Sequence, residues 1–165
     1  MKRWYVVQTQ PHAEERARGH LERQSYEVWL PLCRKKRRHA GRSEIVIRPF
    51  FPRYLFVHVD MSRERWRPIL STFGVSRLVG GAQGPKPLPE AVIAGLRERS
   101  DQDGLFEFDA RPLRSGDAVR IADGPFADLE GVFRAKSERE RVSVLLSLMG
   151  REVKVTVAST DVEAV

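Results

Sequence analysis

The chain has 165 residues, 41% of them hydrophobic, and a formal net charge of +7. Wholesale disorder is excluded by that composition, and no run approaches the roughly 20 uninterrupted apolar residues that a membrane-spanning helix requires. Cys33 is the only cysteine, which excludes an intrachain disulfide and argues against a thiolate zinc site.

Met1-Lys2-Arg3 runs directly into Trp4-Tyr5-Val6-Val7-Gln8-Thr9, a stretch of β-formers that reads as a strand rather than an apolar leader. The expectation is a cytoplasmic protein without a membrane partner. After Pro11, Ala13, Ala17 and Leu21 recur at helical spacing, with Glu14 and Glu15 in the first turn where the helix dipole favours acids. Tyr26 to Leu30 reads as a second strand stopped by Pro31. The run Arg34 to Arg42 holds six basic residues before Arg42 itself. Flanked by strand-like Leu30 to Cys33 and Glu44 to Arg48, it reads as a protruding hairpin or a solvated loop.

Arg53 to Val59 is the best strand pattern in the chain. Alternation places Tyr54, Phe56 and His58 on one face and Leu55, Val57 and Val59 on the other. Both faces carry large groups, so one is a candidate contact surface. A short helix is expected over Ser62 to Arg67, a strand over Val75 to Val79, and a further helix from Pro89 with Val92, Ile93 and Leu96 as its apolar stripe. These elements predict an α+β sandwich, a sheet with helices against it, over residues 1–99.

Residues 100–112 lack periodicity and read as a linker, with Phe106 and Phe108 able to pin it to either side. Beyond it, short strands are expected at Ala118 to Ile121, Gly131 to Arg134, Arg141 to Leu148 and Val153 to Val157, making 113–165 a small β-barrel. Ser137 to Met149 also tolerates a helical reading, with Leu145, Leu148 and Met149 on one face; the β-branched pattern favours the barrel. Charge follows the same division. Residues 1–99 carry 20 Lys and Arg against 9 Asp and Glu, whereas residues 100–165 carry 9 against 13. A basic unit joined to an acidic one suggests different partners, the basic one suited to a phosphate backbone or to an acidic protein.

No catalytic signature is present. The four histidines have no metal-ligand spacing, Gly80-Gly81 does not open a phosphate loop, and Ser71-Thr72 lies in no nucleophile elbow. The expectation is a protein that binds rather than catalyses, with no cofactor and no metal.

Trp4-Tyr5-Val6-Val7 with its following helix, Phe51-Pro52-Arg53-Tyr54-Leu55-Phe56-Val57, Ser71-Thr72-Phe73-Gly74-Val75 and Pro87-Leu88-Pro89 together resemble the N-terminal domain of NusG-type transcription elongation factors. Gly116, Asp117, Val119 and Ile121, followed by Gly124, Pro125, Phe126 and Gly131, look like the KOW motif of that family's C-terminal SH3-like barrel. His20-Leu21-Glu22-Arg23-Gln24 and the compact length look more like the specialised RfaH branch.

The resemblance implies a monomer that binds the clamp helices of the largest RNA polymerase subunit, holds the clamp closed and suppresses pausing. It assigns the polymerase contact to Phe51, Tyr54, Phe56, Ile93 and Leu96. His20, Arg23, Thr72 and Phe73 are assigned to an exposed non-template DNA strand, although Phe73 stands where the branch tends to have a basic group. It gives the KOW unit a ribosomal small-subunit protein or a termination factor as partner. In the RfaH branch the C-terminal segment can also be held as a helical hairpin against the polymerase-binding pocket. A general NusG-like factor without a DNA element is the alternative role, and a ribosomal or RNA-binding KOW protein is the third.

Overall fold

The computed structural model describes residues 1–107, 119–121, 132, 135, 137–149 and 162–164. A five-stranded antiparallel sheet organises residues 1–99. Its order is β2 (Glu27–Trp29), β5 (Tyr54–Val59), β1 (Arg3–Thr9) and β6 (Val75–Leu78), and the short β9 (Pro87–Leu88) also pairs with β1. In the central pair, Val6 lies opposite Phe56 and Gln8 opposite Tyr54. Alternation along β1 and β5 then divides the core in two. Tyr5, Val7, Leu55, Val57 and Val59 pack with Ala17 and Leu21 of α1 (Glu14–Arg23). Trp4, Val6, Tyr54 and Phe56 pack on the opposite side with Val92, Ile93 and Leu96 of α2 (Glu90–Arg99).

The basic run is strand rather than loop. β3 (Leu32–His39) and β4 (Arg42–Pro49) form an eight-pair antiparallel ribbon closed by the two residues Ala40 and Gly41. Both have positive φ, 51° and 77°, the backbone of a turn whose twist matches that of the strands it joins. The strands are longer than the sequence pattern implied, because cross-strand pairing holds the charged residues extended.

Two other expectations need correction. No helix forms over Ser62 to Arg67; the Asp60 carboxylate instead takes the Ser62 amide at 3.0 Å and hydroxyl at 2.6 Å, fixing a turn. A 3₁₀ helix follows at Arg67–Ser71, with Pro68 near its start, where a missing N–H costs nothing. Within the expected linker, β10 (Leu105–Glu107) pairs in parallel with β3. Phe106 is buried there and stacks on Phe50 at 4.3 Å between ring centroids. Two short strands, β7 (Gly80–Gly81) and β8 (Gly84–Pro85), make a small hairpin ahead of β9.

In the C-terminal part, β11 (Val119–Ile121) and β12 (Val162–Ala164) pair antiparallel. Arg141 to Leu148, expected as a strand, is helical: α3 spans Glu138–Leu148. Ser137 caps it, its hydroxyl accepting from the Glu140 amide at 3.1 Å, and Glu138 and Glu140 occupy the first turn. That is the Ser-x-x-Glu start signal, and it outweighs the β-propensity of Val142 and Val144 once one face is buried. Gly116, Asp117, Gly124, Pro125, Phe126 and Gly131 of the expected KOW motif, and the strand at Val153 to Val157, lie outside the described residues. Val119 and Ile121 lie on β11.

Candidate functional site: an apolar face under a helix, and an aromatic edge

Phe51, Tyr54, Phe56, Ile93 and Leu96 do come together, in one buried cluster on the α2 side of the sheet. Phe51 and Phe56 meet edge to face at 5.9 Å, and Trp29 stacks on Phe56 at 5.5 Å. Arg97 of α2 lies over both Trp4 and Trp29, its guanidinium carbon 5.0 Å from each ring centroid. All five expected contact residues are buried rather than presented to solvent.

What helps bury them is α3. Val144, Leu145 and Met149 belong to the same cluster, and Val142, Leu146 and Leu148 pack against it half-buried. Arg141 is buried with them. It donates to the Phe50 carbonyl at 2.6 Å, and its guanidinium carbon lies 4.1 Å from the Phe50 ring centroid. Burial lowers its pKa, yet a guanidinium stays charged at any physiological pH. Cys33 is enclosed in the same cluster; burial pushes its thiol pKa up, and the nearby Arg141 cation opposes that shift. At the rim, Lys35 of β3 meets Glu138 at 3.3 Å. α3 is thus fastened by an apolar stripe, a buried charge-assisted hydrogen bond and a peripheral ion pair. Sequence reading missed Arg141 and Trp29. The capping box at Ser137 was the available signal for the helix.

The second group lies across the sheet, on the α1 side. His20 and Phe73 are in contact, rings 5.4 Å apart and inclined at 58°, and Arg16 lies 5.7 Å from the Phe73 centroid. Phe73 is 68% exposed, the most exposed aromatic ring among the described residues. Thr72 is buried instead: its hydroxyl donates to the Pro68 carbonyl at 2.9 Å and accepts from Gln24 Nε2 at 2.9 Å. It therefore fixes the loop rather than reaching outward. Arg23 is exposed in the last turn of α1 and, among the described residues, forms no ion pair or hydrogen bond with the other three.

Gly74 sets the height of Phe73. Its φ is +87°, and a Cβ there would sit 3.1 Å from the Ala17 nitrogen and 3.2 Å from the Ala13 oxygen. The loop lies flat on α1 because neither side has bulk. The Gln10 amide donating to the Gly74 carbonyl at 2.8 Å ties it to β1.

Among the described residues no group of three or more His, Cys, Asp or Glu side chains could hold a metal, and no helix is long and apolar enough to cross a membrane.

Residues 2–97 match the family model described as transcription termination factor nusG. The transcription termination/antitermination protein NusG of Thermus thermophilus is 32% identical over 170 residues, covering 92% of each chain. Its counterpart in Staphylococcus aureus is 30% identical over 176 residues, covering 98% of this chain and 95% of the relative. A solved structure described as domain interaction in Thermotoga maritima NusG aligns at 23% identity and a TM-score of 0.45, covering 76% of this chain and 75% of that one. A sheet with helices on both faces, enclosing a buried aromatic cluster on the α2 side, is the frame these comparisons meet. The chain belongs to the NusG family of transcription termination and antitermination factors.

Proposed function

We propose that the protein is a specialised antitermination factor of the RfaH type, whose polymerase-binding face is masked in the free chain. Phe51, Tyr54, Phe56, Ile93 and Leu96 form the pocket for the clamp helices of the largest RNA polymerase subunit. Once bound across the DNA cleft, the protein holds the clamp closed and suppresses pausing, a mechanical effect that consumes no substrate. Recruitment comes from the exposed non-template strand through His20, Arg23 and Phe73, with Thr72 holding the loop. Phe73 stacks on an unpaired base, and the cations and imidazole reach base edges and phosphates.

The observation that carries this reading is α3 seated on the pocket, with Leu145 fully buried among the residues assigned to the polymerase. A mask over that face makes polymerase binding conditional on its release, which suits a factor confined to few genes. The released C-terminal segment, as the family's KOW unit, is then free to engage a ribosomal small-subunit protein or a termination factor.

A second reading is favoured by a separate observation: relatives about as long as this chain and 30 to 32% identical carry the NusG name. On that reading the protein is a housekeeping factor without a DNA element. Profiling its occupancy along the genome separates the two. Confinement to a few long operons supports the specialised factor, and occupancy of every transcribed gene overturns it.

A further inference from the structure

The β3–β4 ribbon is absorbed by neither face described above. Seven Lys and Arg lie between Leu32 and Pro49, against one carboxylate, Glu44. Near its base two of these cations have carboxylate partners: Arg34 with Asp101 and Asp103, and Lys35 with Glu138. Toward the tip the balance changes. Arg37 meets Glu44 at 3.6 Å, while Lys36, Arg38 and Arg42 have no carboxylate within ion-pair reach among the described residues.

Register sorts the side chains. Directly opposed residues share a face, so Lys36 and Arg38 lie beside Ile45 and Ser43, with Ile47 next along. Ile45 is 66% exposed and Ile47 43%, an apolar stripe beside Lys36 and Arg38, while Asp101 and Asp103 meet Arg34 at its basal end. Arg37, His39 and Arg42 emerge on the opposite face. The tip therefore offers cations to both sides at once.

We propose that this ribbon is a second nucleic-acid site, an arm that enters the major groove of a duplex. An acidic protein surface would meet one face of the arm. A groove flanked by two phosphate strands meets both. Two strands about 4.8 Å apart, with their side chains, suit a groove about 12 Å wide that admits a two-stranded ribbon. Lys36, Arg38 and Arg42 contact phosphates, and Ile45 lies against base edges. Binding rests on phosphates rather than a sequence code, and it is independent of the single-strand face at Phe73.

The test is fluorescence anisotropy of the full chain with a 24-base-pair duplex of arbitrary sequence, across a salt series. Lys36→Gln/Arg38→Gln/Arg42→Gln should lower the slope of log affinity against log salt by about 3, at roughly 0.9 per phosphate contact. Between 50 and 200 mM salt the parent should then lose about 40-fold more affinity than the variant. Glu44→Gln, which frees Arg37, should tighten binding. An equal charge change elsewhere, Arg63→Gln/Arg65→Gln/Lys86→Gln, should leave the slope near the parent's. The arm is not the site if the ribbon variant keeps the parent's slope, or if the control loses as much. A single strand of the same sequence binding equally well and losing equally overturns the groove geometry. Polyglutamate displacing the duplex at equal charge assigns the arm to acidic proteins instead.

Discussion

Leu145→Ala should unmask the face proposed to bind polymerase. Leu145 is fully buried at the centre of α3, among Val144, Met149 and the aromatic pocket. Truncating such a leucine costs about 2 to 5 kcal/mol, here charged to the docking of α3 rather than to the sheet. The undocked population rises about 30-fold at the lower figure and more than 1,000-fold at the upper. When the competent form is a minor fraction, apparent affinity scales with that fraction, so binding to core RNA polymerase improves by the same factor until the undocked form predominates.

The chain carries its own reporter. Cys33 is buried in the cluster beside Arg141, and burial holds its thiol protonated, so alkylation of the parent by iodoacetamide should be slow. In Leu145→Ala the rate should rise by the same factor as the affinity. Accelerated alkylation without any gain in polymerase binding would refute the reasoning, because α3 would then have left a face that polymerase does not use.

Phe73→Ala should leave thermal stability unchanged, since its ring is largely exposed, and weaken binding to single-stranded DNA by about 1 to 3 kcal/mol, the usual worth of one stacked base. Gly74→Ala should lower the melting temperature as well as DNA binding: its φ of +87° strains any L side chain, and a methyl group 3.1 Å from the Ala17 nitrogen would push the loop off α1 by a few tenths of an ångström. Asp60 is held well below the usual carboxylate range, first by the N-terminal ammonium at 2.7 Å and then by Ser62. A depressed folded pKa stabilises above the unfolded value of about 3.9, and the gain disappears as pH falls through the folded value. The stability difference between parent and Asp60→Asn, measured by urea unfolding, should therefore shrink as pH is lowered below about 4.

Legibility in the sequence followed the physics of each element. The split of β5 into Tyr54 and Phe56 on one side and Leu55 and Val57 on the other follows from strand alternation alone, and the two clusters obey it. The α2 stripe of Val92, Ile93 and Leu96 was equally direct. α3 was not, because Val142, Val144, Leu146 and Leu148 satisfy a strand period while Arg141, Val144, Leu145 and Leu148 satisfy a helical one. Tertiary burial chose between them, with the Ser137 cap as the local hint. Arg141 could not be found, since a buried arginine is recognised only by the carbonyl it meets, 91 residues away. Thr72 was expected at the DNA surface but is turned inward. Its partners Pro68 and Gln24 become visible only when the loop is folded onto α1.

The most direct test of the account is hydrogen–deuterium exchange of the full chain, free and bound to core RNA polymerase. The amides of Glu138–Leu148 should be protected in the free protein and lose that protection in the complex, while those of Tyr54–Val59 stay protected. Protection of Glu138–Leu148 that survives unchanged in the complex would contradict it, because polymerase would then be bound with the helix still over the pocket.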